Sequence, residues 1–508
     1  MISYLQATAR QRIDGIIEHF QEWLPASPAW GSPHLPLLHA PVAFDDGVII
    51  GYGYLSGKIV FAAAQDGNFM GGAIGEVHGA KLVGLLRKAL QERPAAVILM
   101  AESGGVRLHE ANAGLIAVSE VMRALMAVRA AGIPVIILNG GRHGCFGGMG
   151  IIANCADTLI MSAEARLGIS GPGVIETVHG VAEFDASDRA LVWRVNGGLH
   201  RYRSGDCQML VADTMAAFKV AAAQAMAFSP QSVADVNALE AEHAMLTQRL
   251  ATFPASGSDT DVADTGRAEQ PALEWQPLAA QLFPEGYDIT EENAVLSGAA
   301  QMHGSTISII GTTNHTEIGV ETALKQAQLL LRTIRDFPGR PIFLLVDTTG
   351  QRLRQRDEKM GIQRYMAHLG KCIESARCRG HKILALVYGQ ALSGGFVSSG
   401  MMADACYALP SSIIRVMDLS AMARIIKIPE ETLVLLAQSH PVFAPGPENY
   451  QRMGGIKDIW RQDLASCLFT AFADLSAEDV RMSLGVARGG RVMAQKVVDA
   501  VLFADIKH

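Results

Sequence analysis

The sequence predicts an α/β protein built as two copies of one unit, and three observations carry that expectation. Apolar runs of strand length alternate with glycine turns and helix-period segments, the pattern of a sheet covered by helices. One such passage recurs about 250 residues further on, with its landmarks in the same order. The composition, 49% hydrophobic and 18% charged with 6% aromatic, belongs to an aliphatic globular chain rather than a disordered or fibrous one.

The repeat is anchored on Asn139-Gly140-Gly141-Arg142-His143-Gly144-Cys145-Phe146-Gly147-Gly148-Met149-Gly150, in which six of twelve residues are glycine. Glycine permits positive φ and close backbone approach, at an entropic cost that an ordinary turn has no reason to incur so often. Before it lies the buried-strand pattern Ile133 to Leu138; after it, Gly147 to Ala156 is compatible with a helix. A glycine turn between strand and helix aims free N–H groups and the positive end of the helix dipole at one point. In the second copy the strand is Ile383 to Tyr388 and the turn is Gly389 to Gly395, so that Gly147-Gly148 fall on Gly394-Gly395 and Asp157 on Asp404. Upstream, Val97 to Met100 and Ser103-Gly104-Gly105-Val106-Arg107-Leu108 fall on Phe343 to Val346 and Thr348-Thr349-Gly350-Gln351-Arg352-Leu353, and Ile74-Gly75 on Ile318-Gly319.

Taken in order, residues 4–24 carry apolar positions at Leu5, Ile13, Ile16, Ile17, Phe20 and Trp23 and read as one amphipathic helix, ended by Pro25. Residues 48–64 read as two short strands meeting at Ser56-Gly57, a hairpin turn. Ala80 to Glu92 reads as a helix feeding the strand at Val97. Residues 168–205 hold a glycine loop, then a basic cluster of Arg194, Arg201 and Arg203, the first half's candidates for a phosphate or else a solvated surface. Val233 to Thr252 reads as a surface helix and 254–271 as a flexible linker. The expected domains are therefore 1–232 and 273–508, separated by 233–272. A last helix is expected over 476–505, broken at Gly485 and Gly489-Gly490.

At 508 residues the chain is long enough for two to four domains, and the repeat favours two. A net charge of −7 weighs against nucleic acid as the main partner. Seven cysteines without a C-x-x-C pair read as small core residues of a reducing compartment, with no metal site expected. No apolar stretch approaches the roughly eighteen residues of a membrane span, and Arg10, Arg12 and Asp14 interrupt any signal segment, so the expected location is cytoplasmic. Gly141, Gly144 and Gly147 do not form a dinucleotide fingerprint, there is no P-loop, Ser170 and Ser393 lack a nucleophile elbow, and His109-Glu110 lacks the second histidine of a zinc helix.

What is left is a pair of glycine turns in each half. One N–H donor is expected from Gly104-Gly105 or Gly350, another from Gly147-Gly148 or Gly394-Gly395. Two converging amides form an oxyanion hole, each such donor stabilising a transition state by about 3 kcal/mol. A valine at Gly148 is expected to fill that hole and abolish turnover while leaving the fold largely intact.

These residues resemble the carboxyltransferase branch of the crotonase superfamily. More narrowly, residues 1 to about 230 resemble the beta subunit of biotin-independent malonate decarboxylase through Ala101 to Leu108 and Gly140 to Gly148. Residues from about 273 resemble its gamma subunit through Val346 to Gln351 and Ala391 to Gly395. The resemblance implies two crotonase-like (ββα superhelix) domains related by a pseudo-two-fold axis, a natural or engineered fusion of two subunits. It implies decarboxylation of a malonyl thioester on an acyl carrier protein, through an enolate. The first hole, at Gly147-Gly148, then holds the thioester oxygen, and the second, at Gly394-Gly395, faces the carboxylate. His143 and Gln351 sit in the right turns to supply the proton, and the sequence chooses neither. No cofactor is expected on this chain beyond the carrier's CoA-like prosthetic arm. The implied partners are malonyl-acyl carrier protein and the acyl carrier transferase subunit of the same complex, with a homo-oligomer expected. The alternatives are a biotin-dependent acyl-CoA carboxyltransferase subunit and a carrier-docking module without chemistry.

Overall fold

The computed structural model describes residues 2–253, 274–476 and 478–506. Each half is an α/β unit around its own sheet. In the first half seven strands lie in chain order: Glu18–Trp23, Val48–Leu55, Lys58–Gln65, Ala96–Ala101, Val135–Asn139, Thr158–Ser162 and Met209–Val211. The first three are antiparallel and the rest parallel. The parallel strands are covered on both faces, which is why they read as unbroken apolar runs. The second half repeats this ββα plan in a nine-stranded sheet around Ile342–Gln351 and Ile383–Leu392. The fold is thus the expected pair of crotonase-like units.

The hairpin turn falls on Ser56-Gly57, both with positive φ, 52° and 75°, as a two-residue turn matched to strand twist requires. Residues 4–24 are not one helix. Helix Ala9–Ile16 ends where Ile17 turns extended, and Glu18–Trp23 pairs with Val48–Leu55; sheet pairing overrides the helical spacing. Residues 168–205 fold as helices Pro172–His179, Arg189–Asn196 and Gly198–Arg203. The final helix is two, Arg481–Ala487 and Ala494–Leu502, parted around Gly489 at φ 68°. The linker expected over 254–271 lies outside the described residues.

The duplication extends to side-chain detail. Asp157 accepts the first N–H of strand Val135–Asn139 at 2.9 Å and pairs with Arg129; Asp404 accepts that of Ile383 at 2.9 Å and pairs with Arg377. The two units also exchange equivalent elements, as a pseudo-two-fold relation demands. Helix Ala494–Leu502 of the second half packs on Glu76–Glu92 of the first, and helix Val236–Thr252 of the first packs on Val320–Asp336 of the second. Val236–Thr252 is a surface helix with one packed stripe, in which Leu239, Leu246 and Arg249 are buried. Buried Glu76 accepts the N–H groups of Met493 and Ala494 at 2.7 and 2.9 Å, placing a carboxylate at the start of the returning helix.

Leu108–Ala130 is long and apolar enough to cross a membrane, contrary to the sequence expectation, but 89% of its apolar window is buried inside the protein. It is a core helix, packed against Ser393–Val397 of the other unit, while its counterpart Ile362–Cys378 packs against Gly147–Cys155. All seven cysteines are free.

Candidate active site

The glycine turns converge in each unit. Gly105 (φ 105°) lies so near the second turn that a Cβ on it would stand 2.8 Å from the Gly147 Cα. In the second unit a Cβ on Gly395 would stand 3.0 Å from the carbonyl carbon of Gly350, itself at φ 104°. Close approach, more than turning, is what these glycines permit. The helices that start at Gly147 and Ser393 touch within the one chain.

Most of the expected donors are engaged. The Gly104 N–H bonds Gly71 O at 2.8 Å, Gly105 N–H the Ser103 hydroxyl at 3.1 Å, and Gly147 N–H the Ile169 carbonyl at 2.8 Å. In the second unit Gly350 N–H bonds the Thr348 hydroxyl at 3.1 Å and Gly394 N–H the side-chain oxygen of Gln351 at 3.0 Å. The amides of Gly148 and its repeat partner Gly395 have no protein acceptor among the described residues. Both lie in the first turn of a helix, where no intrahelical acceptor exists. Each unit thus keeps one homologous open N–H at the positive end of a helix. Gln351 binds through its carbonyl oxygen and is an amide, so it acts here as an acceptor rather than an acid.

His143 stands on a carboxylate. Its backbone N–H and ring Nδ1 both meet Glu102 Oε1, at 3.0 and 2.9 Å, and Arg12 pairs with the other oxygen of that carboxylate. Burial pushes the Glu102 carboxyl up, but the Arg12 guanidinium and the His143 donors outweigh it and hold it below the usual range. Glu102 is therefore anionic and fixes the ring through Nδ1, leaving Nε2 toward solvent on a side chain 40% exposed. The repeat carries a related device with a different histidine: Asp347 falls on Glu102 and accepts the N–H of Gln390, which falls on His143, at 2.8 Å, and it also meets the N–H of His315 at 2.8 Å and its Nδ1. Sequence reading missed both carboxylates, although each directly precedes the Ser103 or Thr348 that the repeat aligns.

The basic cluster divides. Arg201 is fully buried, paired with Asp206 at 3.2 Å and donating to Leu167 O and Glu358 O. It is not free to meet a ligand phosphate, because tertiary packing has enclosed a residue that sequence alone leaves exposed. Arg194 is 64% exposed, 3.7 Å from Asp188, and Arg203 is exposed. A groove of about 280 Å³ lined by His243, Glu292, Glu321 and Lys325 contains none of the corner residues.

Two crotonase-like units with a helix-start amide open in each define an enzyme of the carboxyltransferase class. Residues 313–504 match the family model of the malonate decarboxylase gamma subunit. The chain is 46% identical over 233 residues, 43% of its length and 73% of the relative's, to the malonyl-S-ACP:biotin-protein carboxyltransferase MADC of Malonomonas rubra. It is 32% identical over 203 residues, 36% of its length and 70% of the relative's, to MADD of the same organism and activity. Among solved structures, a Pseudomonas malonate decarboxylase hetero-tetramer in complex with malonate is 34% identical, covering 53% of this chain and 94% of that one at a TM-score of 0.46. The chain belongs to the malonate decarboxylase family of malonyl-thioester carboxyltransferases.

Proposed function

We propose that the chain decarboxylates a malonyl thioester carried on an acyl carrier protein, giving the acetyl thioester without a biotin acceptor. The C–C bond to the carboxylate breaks, carbon dioxide leaves, and the electron pair becomes an enolate whose oxygen lies on the Gly148 N–H. Such a donor stabilises the developing charge by about 3 kcal/mol. The enolate carbon then takes a proton, for which His143 is the proposed donor, held through Nδ1 by Glu102 so that Nε2 faces outward. Gln351 is set aside for that role.

The observation that supports decarboxylation is the match of residues 313–504 to the family model of the malonate decarboxylase gamma subunit. The open amides favour neither reading, because the second unit keeps the Gly395 N–H open as the first keeps that of Gly148. The names of the two Malonomonas relatives favour the other reading, transfer to a biotin-bearing protein. Incubation of the purified protein with malonyl thioester alone separates them. Acetyl thioester and carbon dioxide formed without biotin support decarboxylation; turnover only with a biotinylated acceptor supports transfer. Tight carrier binding without turnover of either kind would leave only a docking module.

A further inference from the structure

We propose that Arg166 and Arg189, gathered over Trp193 beside the first glycine corner, form a binding site for the phosphate of the arm that carries the thioester. This rests on the thioester reading above and adds the group by which the arm is held. The guanidinium carbons of Arg166 and Arg189 each stand 5.4 Å from the Trp193 ring centroid, and that of Arg166 also stands 5.8 Å from the Phe146 ring. Phe146 is the residue before Gly147. The Arg166 carbonyl accepts the Cys145 N–H at 2.9 Å and the Asn139 amide at 3.0 Å, and its guanidinium donates to Arg142 O at 2.6 Å. Its backbone and its charge are thus tied to the loop that forms the corner.

The cluster is short of negative charge. Among the described residues no carboxylate pairs with Arg142, Arg166 or Arg189; of the acids nearest in sequence, Glu164 is exposed and Asp188 caps helix Arg189–Asn196 and lies 3.7 Å from Arg194. Half-buried Arg166 is held below its ordinary basicity by burial and by the like charge of Arg189. Two guanidiniums packed on one indole without a counter-ion repel each other, and an anion between or beside them relieves that repulsion. Arginine forks match phosphate oxygens in pairs. The malonyl carboxylate belongs at the corner itself, so the anion available at the rim is the phosphate of a pantetheine arm, whether it comes from a carrier protein or from free coenzyme A.

Malonyl thioesters of pantetheine, of 4′-phosphopantetheine and of coenzyme A, given to wild type, Arg166→Gln and Arg189→Gln, decide it. In wild type the first phosphate is expected to lower KM about tenfold, the value of one charge-assisted contact; a further drop with coenzyme A would assign its remaining phosphates to the same site. Each variant is expected to shrink the phosphate advantage several-fold, and Arg189→Lys to recover part of it. Arg189 is exposed and begins a helix, so its replacement tests the site without reaching the core. Equal KM values for pantetheine and phosphopantetheine substrates in wild type, or an advantage untouched in both variants, would overturn the proposal. So would variants that weaken only binding of the whole carrier, which would make the cluster a protein-docking surface. If no thioester is turned over at all, calorimetric binding of 4′-phosphopantetheine against pantetheine still decides the phosphate site, while the decarboxylase reading alone falls.

Discussion

Glu358 of the second unit accepts the backbone N–H of Ser170 in the first at 2.6 Å, and its oxygens also lie 3.3 Å from Ile169 N and Asn196 Nδ2. The carbonyl of that same Ile169 accepts the Gly147 N–H, so a carboxylate from one half fixes the glycine corner of the other. Burial lifts Glu358 from its ordinary 4.5 to about 7, against the pull of the Ser170 N–H and Arg201. Between those values the folded state binds a proton that the unfolded chain releases. Its contribution to stability is therefore full below about pH 4.5 and is lost as pH rises to about 7. Glu358→Gln cannot ionise, so its stability relative to wild type is expected to rise by about 1–3 kcal/mol from pH 5 to pH 8. Asp46 titrates in the same window but is present in both proteins and cancels; Asp357, whose charge bears on Glu358, does not, so the comparison is made with Asp357→Asn in both proteins. Urea unfolding at the two pH values measures this; a constant difference would place the titration elsewhere. Glu358→Ala, which leaves the Ile169 and Ser170 amides unpaired, is expected to lower kcat as well as stability.

Gly148 faces the core with its missing side chain. A Cβ there would stand 2.5 Å from Val118 Cγ1 and 2.7 Å from Cγ2, and Val118 is a buried, stiff residue of a core helix. Contrary to the sequence expectation, a valine at Gly148 would disturb the fold rather than merely fill the hole. Gly148→Ala is expected to cost about 1–3 kcal/mol by overpacking, read as a fall in denaturation midpoint. In Gly148→Ala/Val118→Ala the two Cγ contacts are gone and only the Cβ at 3.1 Å remains, so the double variant should be more stable than the sum of the single changes predicts. Strict additivity would show that Val118 is not what Gly148 meets.

The repeat and its four glycine turns were legible because only glycine allows these close approaches, and because duplication shows every landmark twice. The occupancy of each amide was not, since Gly147 meets Ile169, and Gly104 meets Gly71, only after the chain has folded back. Arg201 looked available for the same reason, its Asp206 and Glu358 contacts being tertiary. Trp23 and Phe20 fit a helical period and yet lie in a strand, because the edge of the sheet at Val48–Leu55 offers backbone pairing that spacing does not reveal.

If His143 delivers the proton, His143→Gln keeps the size of the ring's polar end but not its acid, and kcat is expected to fall by about 10²–10⁴-fold. Glu102→Gln removes the charge that orients the ring and leaves Arg12 buried without its partner, so it should lower both kcat and stability. Partial rescue of a His143→Ala variant by added imidazole would mark a proton-transfer role that a structural histidine lacks. A His143→Gln enzyme with wild-type kcat and pH profile would pass the role to another group, such as His315, which stands on Asp347 from a different loop.

Arg491, from the segment that returns to the first unit, forms a fully buried fork with Glu120, at 2.8 and 2.7 Å, and its Nε donates to Met453 O at 2.9 Å. Breaking the fork from one side strands a charge in the interior. Arg491→Ala is therefore expected to cost about 3–5 kcal/mol, whereas replacing both partners by apolar residues of similar volume should cost far less. The pair crosses from one unit to the other, so the single variant should also loosen the packing of Ala494–Leu502 on Glu76–Glu92, seen as faster amide exchange in both helices. If Arg491→Ala and the Glu120→Leu/Arg491→Met double variant lose the same stability in urea, the penalty comes from lost packing around Arg491 and not from an uncompensated carboxylate.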